Sequence, residues 1–250
     1  MPRARANGVE LEYETFGSRD DDPLLMIMGL GAQMQFWDDE FCTALATRKH
    51  YVIRFDNRDV GLSTWFDEAG TPDIMQVVKG MAQGKPVTTP YGLDDMADDC
   101  AGLLDALEIA DAHICGASMG GMIAQVVAIR HPERTRTLIS IMSTTGNPAL
   151  PGPSPEVASS LVDTPPADRE ANLDRAVEMS KLVGSPGFPF DEIRIRERAG
   201  RMFDRAFHPE GTTRQFAAVL GHGSRADALK KLQVPALVIH GNDDALVSVE

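Results

Sequence analysis

Gly116-Ala117-Ser118-Met119-Gly120 has the spacing G-x-S-x-G. The run His113–Ala117 before it reads as a strand, and Met119–Arg130 after it reads as a helix stopped at His131-Pro132. A serine on such a strand-to-helix turn is forced into a strained, exposed backbone conformation, and only small neighbours leave it room. Its hydroxyl stands at the C-terminal edge of a sheet, where open α/β sheets bind ligands. The helix behind it supplies free N–H groups and a positive dipole end. The chemistry this suits is nucleophilic attack on a carbonyl by Ser118 Oγ, and the plainer alternative is a small-residue turn with no chemistry.

Attack on a carbonyl needs two N–H donors for the developing oxyanion. The residue after the nucleophile, Met119, offers one. The loop after an early strand offers the other, and Met28-Gly29-Leu30-Gly31, at the end of the apolar run Leu24–Met28, sits in that place. Leu30 is the preferred donor and Gly31 the less favoured one. A dinucleotide-binding reading of Gly29-x-Gly31 fails because Met34 stands where the third glycine belongs. Serine also needs a general base, normally a histidine oriented by a carboxylate, in the chain order Ser, acid, His. His240-Gly241-Asn242-Asp243-Asp244 follows the last visible strand and offers Asp243 and Asp244 as the acid. The six histidines are His50, His113, His131, His208, His222 and His240, and none follows Asp244. His113 and His131 read as surface or cap residues, His240 as a strand-end residue, and His208 and His222 as parts of a helical insertion. The base is therefore expected from a histidine encoded beyond Glu250, together with a closing strand and helix. Asp56 and Arg58 are expected to pair with each other and brace their loop.

The elements that must position these groups alternate. Strands are read at 9–16, 24–28, 51–56, 113–117, 137–142 and 234–240, from alternating or continuous apolar character. Helices are read at 36–48, 93–107 and 119–130, with a short one near Ile74–Met81. Proline-rich residues 144–166 and charged helical residues 168–230 interrupt the alternation before the last strand. The expected fold class is α/β: a mainly parallel sheet with helices on both faces and a helical lid insertion. The expected divisions are a core at 1–145, an insertion at 146–230 and a returning core segment at 231–250.

A chain of 250 residues with 43% hydrophobic content can bury a substantial core. Its formal charge of −13 argues against nucleic acid or an anionic membrane surface as the main partner. The apolar run Leu24–Leu30 falls far short of the ~20 residues that cross a bilayer. No signal-peptide pattern opens the chain. Cys42, Cys100 and Cys115 form neither a disulfide framework nor a C-x-x-C spacing. The expectation is a cytoplasmic protein with no metal, no cofactor and a small molecule as partner. Oligomeric state is not readable.

Three segments carry a resemblance. Phe55-Asp56-Asn57-Arg58-Asp59-Val60-Gly61-Leu62-Ser63 is similar to the D-x-R-G-x-G-x-S segment of the α/β-hydrolase superfamily, with Asp59 where glycine is commoner. Pro235–Gly241 followed by Asp244 resembles that superfamily's acid loop, and the G-x-S-x-G turn is its nucleophile turn. Met28–Gly31, Phe55–Thr64 and Gly116–Gln125 together resemble the aclacinomycin methylesterase group. The resemblance implies the α/β-hydrolase fold and cofactor-free hydrolysis of a carboxylic ester of a small or medium apolar substrate. It implies Ser118 as nucleophile, Leu30 and Met119 as oxyanion donors and Asp244, rather than Asp243, as the acid. The common His-Gly of the oxyanion loop is Met28-Gly29 here, which removes a side chain that often braces the loop. Alternatives are C–C bond hydrolysis or perhydrolysis with the same triad, and ligand binding without catalysis on the same scaffold. Two features stay open between readings. Arg194, Arg196, Arg198, Arg201 and Arg205 form either a grip on an acidic substrate or a solvated helix laced with i, i+4 ion pairs. Met26, Met28, Met119, Met122, Met142 and Trp37 either line an apolar acyl pocket or fill the core.

Overall fold

The computed structural model describes residues 2–249. Seven strands form one sheet: β1 (Arg3–Ala6), β2 (Val9–Phe16), β3 (Asp22–Ile27), β4 (His50–Phe55), β5 (Ala112–Ala117), β6 (Thr135–Ile141) and β7 (Ala236–Ile239). Their spatial order is β1-β2-β4-β3-β5-β6-β7. The pairs β1–β2 and β2–β4 are antiparallel, and the remaining pairs from β4 to β7 are parallel. The expected mainly parallel sheet is present.

Period-two alternation divides the apolar strand residues between two faces. Leu25, Ile27, Ile53, Phe55 and Ile114 face a core completed by α3 (Leu93–Ala106) and α4 (Met119–Arg130). Leu24, Met26, Val52, Cys115 and Ala117 face the other way, onto Trp37 and Cys42 near α1 (Asp39–Ala46). Helices therefore cover both faces, as parallel strands require. Helix α4 is buried from Met119 to Ala128, which explains its apolar residues on all sides.

Between β4 and α3 lies α2 (Ile74–Ala82), and between β6 and β7 lie α5 (Pro155–Val162), α6 (Arg169–Val183), α7 (Glu192–Arg205), α8 (Pro209–His222) and α9 (Ala226–Leu229). Three readings change in detail. Strand β1 is additional; it alternates exposed Arg3 and Arg5 with buried Ala4 and Ala6 and sets the arginines opposite Glu12 and Glu10. Helix α1 is shorter than 36–48, because a separate 3₁₀ turn occupies Met34–Phe36. Helix α5 arises inside the proline-rich segment, where Ser154 caps the Val157 N–H and Pro155 takes the first helical position.

Among the described residues, no helix is long and apolar enough to cross a membrane.

Candidate functional site

Ser118 lies between β5 and α4 with φ 56° and ψ −122°, a conformation costly for any residue with a side chain. Four bonds impose it. Its N–H donates to Ile141 O at 2.9 Å, and its carbonyl accepts from Gly121 N–H at 2.9 Å, Met122 N–H at 3.2 Å and the Ser143 hydroxyl at 2.8 Å. The glycines leave the turn no alternative. A Cβ on Gly116 would overlap the Gly120 carbonyl, one on Gly120 would overlap the Ile27 carbonyl, and one on Gly121 would come within 2.6 Å of Ser143 Cβ. Ser118 itself stays half-buried while Ala117 and Met119 are buried. A hydroxyl held this way, at the head of a helix, is free to meet a carbonyl.

The loop after β3 lies against it: a Cβ on Gly29 would sit 3.1 Å from Ser118 Cβ and 3.6 Å from Oγ. Three side chains brace that loop. Asn57 Nδ2 donates to Met28 O at 2.9 Å, Gln215 Oε1 accepts from Gly31 N–H at 2.9 Å, and Asp56 Oδ1 accepts from Met34 N–H at 2.8 Å. The loop is thus braced with Met, not histidine, at position 28. Because Gly31 N–H is spent on Gln215, it is turned away from the oxyanion role considered for it. Asn57 lies in a segment the sequence had already singled out, but Gln215, on α8, carried no signal.

In the loop after β7, Asp243 is exposed, whereas the Asp244 carboxylate is largely covered. Asp244 Oδ1 accepts from Leu246 N–H and Val247 N–H, each at 2.9 Å, and Oδ2 lies 3.3 Å from His240 Nε2. A carboxylate oriented by backbone donors can in turn orient an imidazole. Apart from this approach of His240 to Asp244, the histidines are engaged elsewhere. His131 meets Asp98, His208 meets Asp67 and stacks on Trp65, His222 meets Asp94, and His240 Nε2 meets the Val247 carbonyl. His50 and His113 pack edge to face at the opposite end of the sheet. Among the described residues, no histidine hydrogen bond reaches Ser118 Oγ.

Asp56 and Arg58 do not pair with each other. Asp56 lies 2.7 Å from Arg205 of α7, and Arg58 takes Asp99 of α3 through two bonds of 2.7 and 2.5 Å. Arg58 and Asp59 lie in a turn just after β4, which directs these neighbouring charges toward partners on three different helices. Asp59, at φ 67°, accepts two 2.8 Å bonds from Arg214 of α8, one of 2.7 Å from the Tyr91 hydroxyl and one of 2.8 Å from Phe66 N–H. Burial raises the Asp59 carboxyl, but these donors outweigh it and hold it below the usual carboxylate range. The ion pairs of α7 also run between elements, not along the helix: Arg194 to Asp38, Arg196 to Asp174, Arg205 to Asp56.

Residues 22–250 match the profile of the alpha/beta hydrolase fold family. The chain belongs to that family. Among curated proteins it is 33% identical to rhodomycin D methylesterase DauP of Streptomyces sp. (strain C5) over 209 residues, 76% of this chain and 64% of the relative. It is 29% identical to 3-oxoadipate enol-lactonase 2 of Acinetobacter baylyi over 248 residues, 98% of this chain and 79% of that relative. The match thus spans less than two thirds of the methylesterase's length. The enol-lactonase structure from Burkholderia xenovorans LB400 superposes with a TM-score of 0.73 at 23% identity, covering 99% of this chain and 84% of that one, and shares its fold.

This hydrolase-fold chain offers the turn no competing thiol. All three cysteines are buried, and burial pushes the Cys115 thiol, three residues before Ser118, up to about 12. Among the described residues, no cluster of three or more histidine, cysteine, aspartate and glutamate side chains is set to hold a metal ion.

Proposed function

We propose that the protein hydrolyses carboxylic esters through an acyl-enzyme on Ser118. The observation that carries this is Ser118 itself: a half-exposed hydroxyl, at φ 56° between a buried strand and a buried helix, against the Gly29 loop. Strain of that kind persists only where packing enforces it. Relatives named as a methylesterase and an enol-lactonase support an ester or lactone bond as the target.

In the proposed reaction Ser118 Oγ forms a bond to the carbonyl carbon while the carbonyl π electrons move onto oxygen. The Met119 and Leu30 N–H groups hold that oxyanion, Met119 from the first turn of α4 and Leu30 from the braced loop. The Oγ proton passes to a general base. Collapse of the tetrahedral species expels the alcohol, which takes that proton. Water then attacks the acyl-enzyme by the same steps in reverse, releasing the acid and restoring the hydroxyl. Asp244 is the carboxylate that orients the base, its Oδ1 anchored by Leu246 and Val247 N–H. The base is a histidine in this reading, and the histidines at 50, 113, 131, 208, 222 and 240 do not fill that role.

The test measures p-nitrophenyl butyrate turnover and the intact mass after a fluorophosphonate probe, on the natural chain and its Ser118→Ala variant. One adduct on Ser118, with turnover lost at least ~10³-fold in the variant, is the expected result. Absence of any adduct on the natural chain would leave a binding protein on a hydrolase scaffold. Cleavage of a ring-fission dienoate in preference to the ester would move the target to a C–C bond.

A further inference from the structure

We infer that the cavity between α6, α7 and the loop after β3 takes a ligand whose apolar body ends in a carboxylate, and that Arg198 is the residue that reads it. The cavity measures about 390 Å³, the size of a small-molecule site. Leu30, the proposed oxyanion donor, lies in its wall, and the same loop touches the Ser118 turn at Gly29, which sets this space beside the candidate nucleophile. Most of the lining is apolar, including Phe36, Met179, Ile195, Met202 and Phe203.

Arg198 stands out against that lining. Its guanidinium lies 3.9 Å from the centre of the Phe36 ring. Three other arginines of α7 are paired, Arg194 with Asp38 at 2.9 Å, Arg196 with Asp174 at 2.5 Å and Arg205 with Asp56 at 2.7 Å, and Arg201 is exposed to water. Arg175, the other guanidinium in the cavity, donates to the Ser160 and Asp163 carbonyls. Arg198 makes neither a hydrogen bond nor an ion pair among the described residues. It is half-buried, and burial, with Arg194 and Arg201 nearby, disfavours its charge despite the distant help of Asp38.

A cation withdrawn from water without an anion is costly, and a protein resolves that cost with a partner. Stacking on Phe36 occupies one flat face of the fork and leaves its N–H edge free, the arrangement that suits two parallel bonds to a carboxylate. Arg198 presents one guanidinium fork without an anion, since Arg175 is held by the Ser160 and Asp163 carbonyls and lies 4.0 Å from the Asp163 carboxylate, and a single fork matches a carboxylate. The inference rests on the proposed ester reaction only in naming the ligand an ester, so the test reads binding and not turnover.

The test titrates the Ser118→Ala protein calorimetrically with monomethyl glutarate and monomethyl adipate, and with their neutral isosteres methyl pentanoate and methyl hexanoate. One or both half-esters should bind at least ~10-fold tighter than the isostere, the scale of a charge-assisted pair. Arg198→Met keeps the apolar stem on Phe36 and should abolish the preference, leaving neutral-ester affinity within about twofold. Arg201→Met, an exposed arginine on the same helix, should preserve it, and 0.5 M NaCl should weaken it only where Arg198 is present. Arg198→Gln serves the same purpose should the methionine variant fail to fold. Equal affinity for both members of each pair, or a preference that survives loss of Arg198, overturns the inference. An Arg198-dependent preference in a natural chain that takes no fluorophosphonate adduct would uphold it while removing the hydrolase reading. An adduct without the preference would do the reverse.

Discussion

Strands β5 and β7 lead into the two candidate catalytic side chains, and both are short and built mainly of small and apolar residues. Their surroundings differ. In β5, Ile114, Cys115, Gly116 and Ala117 are all buried, flanked by β3 and β6 and covered by helices on both faces. In β7, paired to β6, Leu237, Val238 and Ile239 are 52%, 69% and 47% exposed. The strained serine is held by bonds from β6, from α4 and from Ser143, so its geometry belongs to the packed sheet. The Asp244 carboxylate is held by the N–H groups of residues two and three positions on, so its geometry belongs to one loop. A strained nucleophile needs surroundings that over-determine it, whereas a hydrogen-bonded carboxylate needs only its own turn.

That contrast can be broken at four points. Gly120→Val should cost ~4 kcal/mol or prevent folding, because its side chain would meet the Ile27 and Met28 carbonyls of the sheet; urea unfolding measures it. A cost below ~1 kcal/mol would mean the turn is not packed as described. Asp59→Asn should cost ~2 kcal/mol at neutral pH, since it leaves buried Arg214 with only the exposed Asp67 carboxylate as counter-charge, and asparagine tolerates the positive φ. The pH dependence adds a sign. A carboxyl held below its ordinary value contributes stability above that value, and the contribution is lost as pH falls below about 4, through the lowered native value. The variant's stability should therefore fall less steeply than the parent's in that acid range.

Smaller effects are expected at the other strand. Asp244→Ala should lower stability by only ~1 kcal/mol, since two backbone N–H groups regain water, and calorimetric melting reads the difference. Val238→Lys, at an exposed position of β7, should change the stability of the 250-residue chain by less than ~0.5 kcal/mol. A cost of several kcal/mol there would mean that β7 is covered in solution.

Much of this arrangement was legible in the residues. The turn at Ser118 announces itself because its requirement for glycine is met within five consecutive positions. The paired residues of residues 56–59 were less legible. Charge alone suggested Asp56 with Arg58, yet Arg205, Asp99 and Arg214, far along the chain, are the partners that geometry allows. The choice between Leu30 and Gly31 also needed Gln215, which is 184 positions from Gly31 and carries no local mark. Strand β1 escaped notice because alanine and arginine are weak strand formers, and its place depends on glutamates of β2.

Local chemistry therefore determined what this chain could write into consecutive residues: apolar strands, buried helix α4, the glycine-lined turn and the acid loop. Each is signalled by a pattern within a few residues, although the strained geometry of the serine turn is enforced by Ile141 and Ser143. Tertiary structure alone decided that Gln215 binds the Gly31 N–H in the loop after β3, which helix neutralises each buried carboxylate, and that Arg198 lines a cavity with no anionic partner among the described residues. Those outcomes depend on side chains that meet across long stretches of chain, and residue spacing carries no record of such meetings until the sheet and the helices have closed around them.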